Sequence, residues 1–386
     1  MNRRNFITQA AAAVAAGAVI PRGLGETGTP PVSGMTYAPK GLSKPVVGPG
    51  EFVIAAARLD HGHIYGMCNG LTEAGATLKW VFEPDPAKAK AFVEKFPQAR
   101  IARTLEEVLA DPDVRLVAAA AVTSERGPLG CKVMKAGKDY FTDKAPFTTL
   151  AQLAQARAVV AQTGRKYMVY YGERLHNESA MYAYDLVRQG AVGRVVQVTC
   201  IAPHRLSKAS RPAWFFEREK YGGILCDIGS HQFEQFLAYT GATDATVTQA
   251  LVANVANGDH PEFEDYGEAS LLMNNGTSAF VRVDWFTPDG LSTWGDGRTF
   301  ILGTEGFIEL RKYVDLAREK TGDHVYIADK QGERRMDVAG KVGYRFFGDL
   351  ILDCLARTEK AMTQDHAFKA AELALIAQGA ARRLVT

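Results

Sequence analysis

Between residues 52 and 142, short apolar runs alternate with amphipathic segments, and this alternation constrains the fold more than any other feature. Phe52-Val53-Ile54-Ala55-Ala56-Ala57 suits a buried strand. Residues 63–74 then carry Ile64, Met67 and Leu71 at helical spacing. Residues 77–82 read as a second strand, ending at Glu83. Residues 87–96 and 104–110 read as helices, and 114–122 as a strongly apolar strand. A helix over 129–136 stops at Gly137, and 139–142 form a further strand. Strands and helices taking turns at this spacing predict an α/β fold with a Rossmann-type, doubly wound parallel sheet. Ligands of such sheets bind at the carboxyl ends of the strands.

A chain of 386 residues has room for a second domain. Its net charge of +2 gives no footprint for nucleic acid, and its five scattered cysteines give no disulfide framework. The first residues read as a targeting segment. Arg3-Arg4 precede Phe6, and a charge-free run over 10–20 follows, too short to span a bilayer. This is the layout of a twin-arginine signal peptide, so export to the periplasm by the twin-arginine machinery is expected, with no stable membrane anchor. We assign residues 1–35 to that signal, 36–50 to a linker, 51–170 to the Rossmann-type domain and 171–386 to a second α/β domain.

The second half centres on Tyr221-Gly222-Gly223-Ile224-Leu225-Cys226-Asp227-Ile228-Gly229-Ser230-His231-Gln232. Phe233, Phe236 and Leu237 continue it at helical spacing. A helix starting near Asp227 puts Asp227 and His231 about one turn apart on one face. A carboxylate beside an imidazole is a proton-transfer pair, in which the acid orients the ring and raises its basicity. In isolation the same spacing also suits a helix cap and a core histidine. Alternating runs at 278–285 and 299–302 predict strands of a sheet with one covered face, and a last helix over 367–384 is expected to pack back on the first domain.

The turn after the first strand is Ala56-Ala57-Arg58-Leu59-Asp60-His61-Gly62-His63. A dinucleotide fingerprint has G-x-G-x-x-G here. Ala56 and Arg58 stand at the first two glycine positions, and Arg58 offers a charged fork for phosphate instead. Glu83 is placed for ribose hydroxyls, which favours NAD over NADP.

These motifs together resemble the Gfo/Idh/MocA oxidoreductases, the glucose–fructose oxidoreductase and inositol dehydrogenase group. Thr142-Asp143-Lys144-Ala145-Pro146 is similar to the family's E-K-P segment, with Asp for Glu and an inserted Ala. Gly222-Gly223 with Asp227-Ile228-Gly229-Ser230-His231 is similar to its G-G-G…D-x-G-x-H segment, and Gly303-Thr304-Glu305-Gly306 to its G-T-x-G turn. The family's N-x-x-H after the fourth strand is Thr123-Ser124-Glu125-Arg126 here.

The resemblance implies a second domain built on a large, open, mostly antiparallel sheet that often forms the oligomer interface. It implies that Lys144 orients the substrate hydroxyl, that His231 takes its proton as hydride leaves, and that Asp227 positions His231 or binds a neighbouring hydroxyl. Arg58, His61, Gly62, Glu83, Thr123 and Lys144 would line a tightly bound NAD(P). Arg174, His204, Arg205 and Trp214 would join Asp227 and His231 around a sugar, cyclitol or glycoside. Two other readings stay open. His61, His63, His204, Asp227 and His231 could converge on Zn²⁺ or Mn²⁺ for a nicotinamide-independent lyase or hydrolase. The third reading is a sugar-binding protein without catalysis.

Overall fold

The structure, a computed structural model, describes residues 41–384. Expectations that fall on the first 40 residues, the signal peptide among them, lie outside the described residues. No helix among the described residues is long and apolar enough to cross a membrane.

The first sheet is laid down as β1 (Val53–Ala57), β2 (Thr77–Phe82), β3 (Arg100–Ile101), β4 (Val114–Ala119), β5 (Asp139–Asp143) and β6 (Tyr167–Tyr170). Helices α1 (His63–Glu73), α2 (Pro86–Lys95), α3 (Leu105–Ala110), α4 (Thr123–Lys135) and α5 (Leu150–Thr163) alternate with them. The strands pair in parallel in the order β3-β2-β1-β4-β5-β6. The order reverses between β1 and β4, which places a switch-point crevice beyond their carboxyl ends.

Helix α4 begins six residues before the expected start, and Pro128 lies inside it. A proline there frees the carbonyl four residues back. That carbonyl belongs to Ser124, and Gln152 donates its side-chain amide to it at 2.9 Å. The helix therefore runs through the proline because a neighbouring side chain supplies the missing donor. Gly130 of α4 faces Tyr167 and Tyr140, where an added Cβ would lie 2.4 and 2.6 Å from ring carbons. Gly130→Ala should destabilise the protein by about 1–3 kcal/mol, although alanine is the better helix former. A chemical-denaturation midpoint at or above that of the parent would contradict this packing.

Four short or medium helices lead into and through the second layer: α6 (Gly172–Leu175), α7 (Glu178–Arg188), α8 (Arg218–Tyr221) and α9 (Ile224–Asp227), followed by α10 (Ser230–Thr240). The second sheet comprises β7 (Val195–Pro203), β8 (Ala245–Ala253), β9 (Tyr266–Met273), β10 (Ser278–Asp284), β11 (Arg298–Gly303), β12 (Gly306–Arg311), β13 (His324–Asp329), β14 (Gly332–Asp337) and β15 (Arg382–Arg383). Its order is β14-β13-β12-β11-β7-β10-β9-β8-β15, antiparallel except at β7–β10 and β8–β15. Alternation decides its faces. Thr299 and Ile301 are buried, whereas Phe300 and Leu302 between and beyond them are exposed. Leu272 and Phe307 are exposed as well, so the outer face of this sheet is notably apolar.

Two last helices, α11 (Arg345–Ala356) and α12 (Gln364–Ala380), close the fold. Helix α12 packs on α5 and β6 as well as on α9, α10 and β8. Gln364 at its start makes a two-way bond with the Tyr167 backbone, at 2.8 and 2.7 Å. The edge of the parallel sheet is thus covered by the returning helix.

Candidate active site

Two glycines in left-handed conformation, Gly222 (φ 89°) and Gly223 (φ 91°), turn the chain from α8 into α9. A side chain on Gly223 would meet Gln378, whose Oε1 accepts from the Leu225 amide at 2.8 Å. Only glycine allows both this backbone and this approach. The turn aims α9 at the end of β5. There the Lys144 ammonium donates to the Asp227 carboxylate and to the Asp227 carbonyl, each at 2.9 Å. Both side chains are buried, with relative exposures of 5% and 11%. Burial works against the charge on Asp227, but Lys144 outweighs it and holds the carboxyl below its ordinary value.

The expected contact between Asp227 and His231 is not made. The chain bends between α9 and α10, with the Gly229 amide reaching back to the Ile224 carbonyl. Asp227 Oδ1 goes to Lys144, while Asp227 Oδ2 and His231 Nδ1 are buried and unpartnered among the described residues. His231 instead lies between Tyr171 and His63, with ring centroids 6.4 and 6.5 Å away. Burial lowers its pKa to about 3, so the ring is neutral and able to accept a proton at neutral pH.

Two further acceptors complete this wall. Glu173 accepts from Lys312 at 3.0 Å and from Gln232 at 2.9 Å through Oε2. Its Oε1, like Gln232 Oε1, is buried without a hydrogen-bond partner among the described residues, with His204 Nε2 3.8 Å from it. Burial opposes the Glu173 charge, yet Lys312 and the histidines nearby lower its pKa to about 2. Glu173 carried no sequence signal. It follows Tyr170-Tyr171-Gly172, and only the packing of α6 on α10 brings it to His231.

On the other side of Lys144, Asp143 is a buried hub. His61 Nδ1 lies 2.9 Å from its Oδ2, His63 Nδ1 lies 2.8 Å from its Oδ1, and the Arg126 guanidinium reaches Oδ2 at 3.1 Å. Arg126 also donates to the carbonyls of Ala121, Lys144 and Ala145. It stands where the family's N-x-x-H has its histidine, so this position organises the loop that carries Lys144. Asp143 is held far below the ordinary carboxyl range: burial is outweighed by His63, Arg126 and His61. Burial lowers His61 to about 3, so it faces an anionic Asp143 as a neutral Nδ1–H donor.

The five-residue metal set is therefore not assembled. Among the described residues, His61 and His63 cluster with Asp143. His204 packs on Trp294 and Trp285, with centroids 4.4 and 5.4 Å away, and Asp227 is committed to Lys144. Two substrate candidates are also accounted for elsewhere. Arg174 is buried against Glu234, its Nε donating at 2.8 Å, and lines a separate cavity with Tyr184, Arg345 and His366. Arg205 donates to the carbonyls of Pro288 and Leu291 at 2.9 and 2.7 Å, bracing a loop. Trp214 is half-buried beside Phe215.

The phosphate turn is rebuilt rather than lost. Arg58 takes the left-handed conformation (φ 54°) usually left to glycine. Its guanidinium crosses the switch point to Glu125 at 2.5 Å and also pairs with Asp60. Glu83 is buried and accepts from the Leu59 and Asp85 amides at 2.6 and 3.0 Å. Thr123 is buried at the start of α4, and Gly62 precedes α1. These residues fit a dinucleotide. The Arg58–Glu125 pair is partly exposed, so it contributes little and would leave Arg58 free to hold a phosphate. At the other end of the crevice, Asp227 Oδ2 and His231 Nδ1 lack hydrogen-bond partners among the described residues and could receive a ligand.

Two buried histidines, His176 and His231, and two largely buried ones, His61 and His204, have pKa values lowered to about 3, 3, 3 and 4 respectively, in each case chiefly by removal from water. The unfolded chain, with ordinary histidines near 6.5, takes up protons first as pH falls. Stability present above about pH 6.5 is therefore lost on acidification, by at most about 1.4 kcal/mol per pH unit for each group. The melting temperature should fall steadily from pH 7 to pH 5, before the depressed carboxyls titrate. A flat profile over that window would contradict the buried neutral histidines.

Comparison with known proteins gives a consistent placement. Residues 46–171 match the profile of an oxidoreductase family with an NAD-binding Rossmann fold, and 181–309 match the GFO/IDH/MocA C-terminal domain. A D-xylose dehydrogenase of Paenarthrobacter nicotinovorans is 28% identical over 150 residues, 38% of either chain. A scyllo-inositol 2-dehydrogenase (NAD(+)) of Bacillus subtilis is 24% identical over 66% of this chain and 72% of that one. The crystal structure of a proposed oxidoreductase from Erwinia carotovora atroseptica is 48% identical, with a TM-score of 0.85, covering 87% of this chain and 100% of that one. The aldose-aldose oxidoreductase of Caulobacter crescentus, 21% identical with a TM-score of 0.71 over 86% of this chain and 97% of that one, shares the fold. With both halves matched and a full-length relative at 48% identity, the chain belongs to the GFO/IDH/MocA family of oxidoreductases.

Proposed function

We propose that the protein oxidises or reduces a sugar or cyclitol by hydride transfer to or from NAD. The observation that carries this is the group of buried, unpartnered polar atoms beside Lys144: Asp227 Oδ2, His231 Nδ1, Glu173 Oε1 and Gln232 Oε1. Such atoms in a native fold call for a ligand, and three acceptors with an imidazole suit several hydroxyl groups. The named relatives act on a pentose and on an inositol, which supports the same class.

Each residue then has a chemical task. Lys144 orients the reacting hydroxyl through its one remaining N–H donor. Neutral His231 accepts the hydroxyl proton in the oxidising direction and returns it in the reverse. Asp227 fixes the Lys144 ammonium and binds a neighbouring hydroxyl with its free oxygen. A bound nicotinamide supplies the hydride acceptor or donor. Arg58, Gly62, Glu83 and Thr123 would hold the dinucleotide, and the Glu83 carboxylate favours NAD over a 2′-phosphate. His61 lies near enough to Lys144 and Asp227 for their charges to act on one another, and we place it at the nicotinamide end.

The finer features are also proposals. The Arg3-Arg4 leader supports export by the twin-arginine route to the periplasm, where NAD has to travel tightly bound. The exposed Leu272, Phe300, Leu302 and Phe307 on the open sheet support a homo-oligomer. Denaturing the purified protein and scanning the supernatant tests the reading. Near-stoichiometric NAD(H) is expected. A supernatant free of nicotinamide, from protein that also takes up none on incubation, would refute it.

A further inference from the structure

Arg211 sits on the loop that follows β7, and nothing so far has used it. Its guanidinium carbon lies 4.4 Å from the centroid of the Phe215 ring and 4.9 Å from that of Trp285. One donor is spent: Nε bonds the Leu206 carbonyl at 2.8 Å. No carboxylate pairs with it among the described residues, unlike Arg58, Arg126 and Arg174. The aromatic rings hold its plane and the Leu206 carbonyl holds its inner edge, so the outer fork of two nitrogens is left to face a partner.

The surroundings link Arg211 to the candidate active site. Burial lowers the arginine to about 10, and the Asp227 carboxylate opposes that shift. Trp285, under the guanidinium, packs in turn on His204, whose Nε2 lies 3.8 Å from Glu173. Arg211, Trp285, His204 and Glu173 thus form one continuous wall leading to His231.

The two ends of this wall differ in chemistry. Near His231 the unpartnered atoms Asp227 Oδ2, Glu173 Oε1 and Gln232 Oε1 are acceptors, which ask for hydroxyl donors. Around Arg211 the groups without a hydrogen-bond partner among the described residues are donors: its own half-buried outer fork and the buried Trp285 Nε1. Donors without acceptors ask for a group that only accepts. A carboxylate is such a group and matches an arginine fork geometrically. One free guanidinium balances one negative charge. A phosphate would need further cations, and the nearby Arg205 and Lys208 are committed to Pro288, Leu291 and Asp259.

We propose that the substrate is a sugar acid, with its hydroxyl end at Lys144, Asp227 and His231 and its carboxylate on Arg211. This rests on the sugar oxidoreductase reading above and narrows it to uronic or aldonic acids and their glycosides.

Calorimetry with matched panels tests the idea: hexuronic and aldonic acids, their neutral parent sugars and the corresponding sugar phosphates. The wild-type protein should bind at least one acid about 10- to 100-fold more tightly than its neutral parent and its phosphate. Arg211→Gln should abolish that preference, and Arg211→Lys should restore part of it, both with melting curves near that of the parent. Equal affinity for acid and neutral sugar across the panel, tighter binding of the phosphates, or a preference surviving Arg211→Gln would each overturn the proposal. If Arg211→Gln does not fold, the wild-type panel and Arg211→Lys decide. An Arg211-dependent acid preference without any nicotinamide reduction would keep this assignment and refute only the oxidoreductase reading.

Discussion

His231→Ala and Lys144→Ala are each expected to lower turnover by about two to four orders of magnitude, the span of lost general acid–base assistance. The two losses differ in kind. His231 is neutral over the working range, because burial lowers it to about 3. Removing it takes away a ready proton acceptor without unpairing a charge, so the defect should be mainly in kcat and nearly independent of pH between about 5 and 8. Lys144 is different, since it is the main cation holding the Asp227 carboxyl down. Without it, burial acts on Asp227 unopposed by that charge and pushes its carboxyl upward. Lys144→Ala should therefore add a new titration to the pH–rate profile, on its acidic limb, that His231→Ala does not show. Near wild-type turnover in both variants would remove these residues from the chemistry.

The largest effect on stability is expected at Asp143. Its carboxylate takes His61, His63, Arg126 and the Lys144 amide, the last at 2.7 Å. Asp143→Ala leaves the buried Arg126 without its anion and two imidazoles without an acceptor. Breaking a buried pair in this way costs about 3–5 kcal/mol. The melting temperature should fall by roughly ten degrees. Asp143→Asn keeps the shape but not the charge, and should fall between the two. A midpoint within about two degrees of the parent for Asp143→Ala would show that the hub is not fixed as described. Because Arg126 also grips the Lys144 and Ala145 carbonyls, the variant should lose activity as well as stability.

Much of the fold was legible because its signals are local. Parallel strands buried on both faces read as apolar runs, and β1 and β4 are legible in this way, while β2 and β5 lie where strands are expected from the alternation with helices. The start of α4 was not legible, since the donor that lets Pro128 stay helical is Gln152, a later residue in another helix. The site divides in the same way. Lys144 and Asp227 come together from motifs far apart in sequence. The bond from Asp227 to His231 fails because the bend at Gly229 turns the ring away, which helical spacing alone does not reveal. Glu173 and Arg126 were missed because each acts through tertiary contacts, with Lys312 and with Asp143. In the alternative metal reading, His61 and His63 serve as ligands because the sequence shows no partner for them. Their partner, Asp143, lies within the E-K-P-like segment, where the sequence shows it only as a replacement for glutamate.

The central claim is that the cleft between Lys144 and His231 passes hydride between a sugar hydroxyl carbon and NAD. Mixing NAD-loaded protein with the best-bound sugar acid in a single turnover, while following the near-ultraviolet absorbance of reduced nicotinamide, tests it most directly. The band should appear in about one equivalent per site with the parent protein and be slowed by about two to four orders of magnitude in His231→Ala. Absence of the band with a bound sugar and bound NAD, or its undiminished rate in His231→Ala, would contradict it.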